Sequence, residues 1–176
     1  MAAPGTARAG REQRFSLLSR GDRVYGRAIL PAKPGPHPVI VLAPADGCAS
    51  SELCARAAAL WVARAALIAF DLPLCGARRS DKLTALALDP TLPIARRLRP
   101  DLEAQVAADL EAILAWIAAH PELDRARVTL AGVGLGAELA RPFADRPAPV
   151  AHVALTKDDP PPATWLREVL ERAAGV

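Results

Sequence analysis

Arg127-Val128-Thr129-Leu130-Ala131-Gly132-Val133-Gly134-Leu135-Gly136 is the stretch whose reading decides the fold. Its first half, Arg127 to Ala131, is an apolar run with β-branched members, the pattern of a strand buried on both faces in a parallel sheet. Its second half alternates glycine with apolar residues and leads into a helix, so the chain must turn sharply from strand to helix there. Pro142 is expected to cut that helix short.

Working outward, the same alternation recurs. Downstream, Val150 to Thr156 reads as a further buried strand and Thr164 to Ala173 as an amphipathic helix. Upstream, Leu102, Val106, Leu110, Ile113, Leu114 and Ile117 make one apolar stripe of a long helix capped by Asp101 and closed at His120-Pro121. Residues 74–100, with Pro90, Pro93 and Pro100, read as irregular. Ala66 to Phe70 and Val39 to Ala43 are two more buried strands. Between them Leu53, Ala57, Leu60 and Trp61 fall at helical spacing behind the possible N-caps Ser50 and Ser51. Pro31 to Pro38, with four prolines, cannot join a ladder. Arg14 to Ser19 and Val24 to Leu30, split by Gly21-Asp22, suggest a hairpin. Residues 1–13 lack periodicity and read as a disordered tail. The expected fold class is therefore α/β: a three-layer αβα sandwich over residues 14–176, with a mostly parallel sheet and an N-terminal antiparallel hairpin.

Composition narrows the function classes. The chain has 176 residues, enough for one domain with its own core, and a net charge of +3. The basic clusters, Arg8, Arg11 and Arg14 and then Arg96, Arg97 and Arg99, are not interleaved with aromatics, which argues against nucleic acid as a partner. Cys48, Cys54 and Cys75 are odd in number and lack C-x-x-C spacing, so no metal site or disulfide framework is expected, and a reducing cytoplasm is the simpler setting. No secretory signal is evident at the N-terminus. No apolar stretch reaches the roughly 18 residues a membrane helix needs, so no membrane partner is expected either.

From Asp101 to Ala140 the chain resembles the α/β-hydrolase superfamily, in particular its dienelactone-hydrolase-like branch: a long helix, His-Pro-Glu-Leu-Asp at 120–124, a strand, then a turn of the form Gly-X-Ser-X-Gly. Val39 to Cys48 is similar to that family's third strand and oxyanion loop, with Asp46-Gly47 where His-Gly often stands. Phe70 to Arg79 is similar to its Asp-hydrophobic-Pro-Gly-X-Gly stretch. The resemblance implies a nucleophile on the turn and oxyanion donors at the backbone N–H of Leu135 and near Cys48. The position of the nucleophile, however, is Gly134. The resemblance also implies an acid and then a histidine further along, and the only histidine after the turn is His152. Asp158 and Asp159 follow the last strand with no histidine beyond them. The expectation is a shortened hydrolase-like fold without its Ser-His-Asp triad. Its binding loop would be Asp46, Gly47, Cys48, Gly134 and Leu135, and it would serve as a small-molecule-binding or protein-interaction module without a cofactor.

Two other readings stay open. Cys48 or Cys75 could replace the nucleophile in a hydrolase of esters, lactones or thioesters, but a reactive thiol needs a basic or cationic neighbour, and a small buried hydrophobe is the default role of each. Gly132-X-Gly134-X-X-Ala137 also satisfies a dinucleotide-binding fingerprint, with Asp158 about 20 residues on. More than 120 residues precede it, whereas that fingerprint usually opens its sheet. His37 lies among prolines, His120 at a helix C-terminus and His152 in a strand, each with an ordinary structural role. Glu138 and Arg141 read as a solvated i,i+3 pair. Val150–Thr156 would be an edge strand, covered by helix 164–173 behind Pro160-Pro161-Pro162, or else a surface for a homodimer or a protein partner.

Overall fold

The computed structural model describes residues 10–45, 65–147, 150–157 and 163–174. Its strands are β1 (Arg11–Ser19), β2 (Asp22–Leu30), β3 (His37–Ala43), β4 (Ala66–Phe70), β5 (Leu123–Val133) and β6 (His152–Thr156). The described helices are α1 (Asp81–Leu88), α2 (Pro93–Ala118), α3 (Gly134–Ala144) and α4 (Ala163–Ala174). One six-stranded sheet runs in the order β1-β2-β4-β3-β5-β6. The hairpin β1/β2 and the junction β2/β4 are antiparallel, and β4, β3, β5 and β6 are mutually parallel. Arg20 and Gly21 close the hairpin with φ of 46° and 81°, the left-handed pair that matches strand twist.

Apolar runs without polar alternation need cover on both faces, and β3 and β4 have it. Val39, Val41, Ile68 and Phe70 meet Leu110, Ile113 and Ile117 of α2 and Leu139 and Phe143 of α3 on one face. Ile40, Leu42, Leu67 and Ala69 meet Val169 and Ala173 of α4 on the other. The three layers and the mixed sheet are those expected.

Several boundaries differ, each for a physical reason. β1 begins at Arg11, inside the stretch read as tail, because Arg11 to Gln13 pair with Leu30 to Ala28. Residues 74–100 are not irregular: a 3-10 turn (Gly76–Arg78), α1 and the start of α2 lie there. Asp101 caps nothing, since α2 starts at Pro93, a position where the missing N–H has no intrahelical partner anyway. Pro100 sits inside α2, and it is tolerated because the helix is exposed there, so the Arg96 carbonyl it leaves unbonded can face water. Pro142 likewise lies within α3, which continues to Ala144. β6 is not buried as its composition suggested. With a sheet neighbour on one side only, its five residues are exposed or half-buried, and His152 is exposed. The helix expected near Leu53 to Trp61, with Ser50, Ser51 and Cys54, lies outside the described residues.

Candidate functional site

Parallel strands all end on one edge of a sheet, and the crevice where the strand order reverses is the usual place for a ligand. Here the chain runs from β3 outward to β4 and then back across to β5 and β6, so the reversal lies between the ends of β3 and β5. Pro44 and Ala45 follow β3 at that crevice, and Gly134 follows β5.

No loop separates β5 from α3. Val133 is still extended, with φ −129° and ψ 137°, and Gly134 is the first helical residue with φ +52°. A side chain is disfavoured at that φ, so glycine makes the sharp turn without strain. Two residues on, a Cβ at Gly136 would stand 2.3 Å from the Pro44 carbonyl oxygen and 2.5 Å from that of Ala43. The start of α3 is thus pressed directly on the end of β3. The helix has no side-chain cap at its N-terminus, so the first-turn N–H groups receive no bond from the Val133 side chain. The strand thus passes into the helix through a single residue that carries no side chain. Leu135, the expected donor, is in that first turn. Asp46, Gly47 and Cys48, expected to complete the donor set, lie outside the described residues, as do Asp158 and Asp159.

All three histidines lie at or before the amino ends of their strands, away from the turn. His37 is the first residue of β3, its Nε2 2.8 Å from the Lys33 carbonyl oxygen. It lies about 20 Å down its strand from Ala43 at a rise of about 3.3 Å per residue. His120 precedes β5 and is fixed by Nδ1 to the Trp116 carbonyl oxygen at 2.7 Å, with its ring against that of Trp116. His152 opens β6, about 13 Å down the strand from Thr156, which pairs with Val133. It is a surface residue and not the core residue its composition suggested.

After β4 the chain folds on itself. The Asp71 carboxylate accepts the Ala77 N–H at 2.9 Å, and Gly76, with φ +53°, lies directly over that carboxylate. Cys75 is buried, 4% exposed, rather than presented to solvent. Arg78, the cation nearest it in sequence, is turned elsewhere. Its guanidinium is 3% exposed, bonds Asp22 at 2.7 Å, and pairs with the fully buried Asp109 of α2. Gln105 completes this cluster by donating to Asp109 at 2.8 Å and to the Ser19 carbonyl at 3.2 Å. Nothing in the sequence marked that network, because its members come from elements 56 and 31 residues apart.

Arg141 does not pair with Glu138. The Glu138 carboxylate instead receives Arg99 of α2 at 2.6 Å, while Arg99 also holds Glu103. Burial lowers the Arg99 pKa, but the bonds to both carboxylates outweigh it and hold the guanidinium above its ordinary value. Among the described residues no group of three or more His, Cys, Asp or Glu is placed to hold a metal ion, and no helix is long and apolar enough to cross a membrane.

A mixed sheet in this strand order, with a strand running straight into a glycine turn and helix, has the α/β-hydrolase architecture, and comparison with solved structures agrees. The chain superposes on a protein assigned as a dienelactone hydrolase from Klebsiella pneumoniae, with TM-score 0.61 and 21% identity over 82% of this chain and 58% of that one. It is similar to a cold-adapted esterase from an Arctic intertidal metagenomic library, with TM-score 0.61 and 19% identity over 87% and 64% of the two chains. It is also similar to 2,6-dihydroxy-pseudo-oxynicotine hydrolase, with TM-score 0.60 and 17% identity over 93% and 43%. The fold is thus the dienelactone-hydrolase-like one, and the chain spans 43% to 64% of the length of these three structures. No protein-family model and no curated protein sequence matches the chain.

Proposed function

We propose that this chain is a hydrolase-fold binding module in which the Gly134 turn is kept as geometry and lost as chemistry. Supporting this most is the distribution of histidines: all three lie at the amino ends of the strands, while the turn lies at the carboxyl ends. A nucleophile needs a base within hydrogen-bond reach, and loss of a triad serine alone can cost on the order of 10⁶ in kcat. Uncapped N–H groups at the start of α3 still favour a small anionic or carbonyl-bearing ligand beside Pro44 and Gly134.

The test is a serine-directed fluorophosphonate probe with a panel of p-nitrophenyl esters. We expect neither labelling nor turnover, and none from Gly134→Ser, because the hydroxyl it restores has no imidazole beside it. Turnover by the unaltered chain that disappears in Cys48→Ala or Cys75→Ala would replace this reading with that of a thiol hydrolase. A rise in melting temperature with NAD or ATP would assign the Gly132–Gly136 turn to nucleotides instead.

A further inference from the structure

The outer edge of β6 lies in a slot. A cavity of about 270 Å³ is lined by Val153, Ala154 and Leu155 of β6, by Arg141 of α3 and by Trp165, Glu168, Val169 and Arg172 of α4. These residues come from both faces of the sheet: Leu155 packs with the α2/α3 side, and Ala154 and Trp165 with the α4 side. The hollow therefore straddles the sheet edge, with the β6 backbone as its floor and a helix on either flank.

The floor offers strand-pairing groups. Ala151 donates its N–H to the Val128 carbonyl at 2.9 Å. Alternation along a parallel ladder then turns the N–H and C=O groups of Val153 toward β5 and those of His152 and Ala154 outward. The flanks carry charge without partners: Arg141, Glu168 and Arg172 are exposed and make no ion pair among the described residues. Two guanidiniums against one carboxylate leave the lining of the slot net positive. Val153, 36% exposed, offers an apolar surface beside them.

We infer that this slot is a docking site for an extended polypeptide segment that alternates apolar with acidic side chains and adds to the sheet beside β6. Main-chain bonds to His152 and Ala154 supply pairing, and Arg141 and Arg172 select the acidic partner. A second copy of β6 fits less well, because it would arrive with its own flanking helices and the same positive charge.

The test uses the full chain and two fluorescent peptides of about seven residues, one alternating Glu and Val and the other Lys and Val. The acidic peptide is expected to bind at least about tenfold more tightly than the basic one, a preference that salt weakens. Ala154→Pro, which removes one outward N–H, should abolish binding. The double variant Arg141→Glu, Arg172→Glu should reverse the preference while leaving the circular dichroism spectrum unchanged. The inference is overturned if neither peptide binds at about 1 mM, or if charge reversal leaves the preference as it was. It is also overturned if the chain sediments as a dimer that Ala154→Pro dissociates, for then a second copy is the occupant.

Discussion

Glycine stands at residues 134 and 136 for two different reasons, and the two substitutions should separate them. Gly134→Ala meets a backbone penalty at φ +52°, about 1–2 kcal/mol. Gly136→Ala drives a methyl into the backbone oxygens of Pro44 and Ala43, which cannot swing aside as a side chain can. We expect the second change to be the costlier in urea denaturation, with the larger fall in midpoint. Asp22 gives a test in pH. Burial alone would raise its pKa, but bonds from Arg78 and from the Arg23 N–H, with the Arg78 charge, hold it below its ordinary value of 3.8. Its stabilising effect is therefore present above pH 3.8 and lost as pH falls through the lower folded value. Asp22→Asn should be less stable than the parent at neutral pH, and the gap should close in acid. At this scale the sequence told plainly what residue 134 lacks. It gave no sign that Arg78, three residues from Cys75, is held by two carboxylates from distant elements.

Among the elements, the uninterrupted runs Val39 to Ala43 and Ala66 to Phe70 were legible as strands, because only a doubly covered strand needs no polar face. The start of α2 was not. Pro93 and Pro100 both read as breakers, yet one occupies the first helical position and the other an exposed turn. Pro100→Ala should restore the bond to the Arg96 carbonyl and raise stability by roughly 1–3 kcal/mol, read as a higher melting temperature. No gain would mean that proline's stiffening of the unfolded chain offsets the lost bond. β6 was misjudged for a related reason. An apolar run shows that a strand exists, but its exposure depends on what lies beside it.

Over the whole molecule, strand direction decided what sequence could not. His37, His120 and His152 are spread through the chain, and only the common direction of β3, β5 and β6 gathers them at the end remote from Gly134. Asp46 to Cys48 entered the candidate site only through family resemblance, and they lie outside the described residues. The buried Arg78 cluster has a consequence at this scale too. It ties Asp22 and Ser19, at the two sides of the hairpin tip, to the loop after β4 and to α2. An edge hairpin ordinarily peels away at low cost, exposing its amides long before the rest of a protein opens. This one is bolted at its far end, so β1 and β2 should exchange their amide hydrogens with the slow parallel strands, and one transition should melt both. Removing Arg78 strands Asp109 without a counter-charge, at a cost of about 3–5 kcal/mol. In Arg78→Ala, hydrogen exchange should show the hairpin opening by itself, turning one cooperative unit into two.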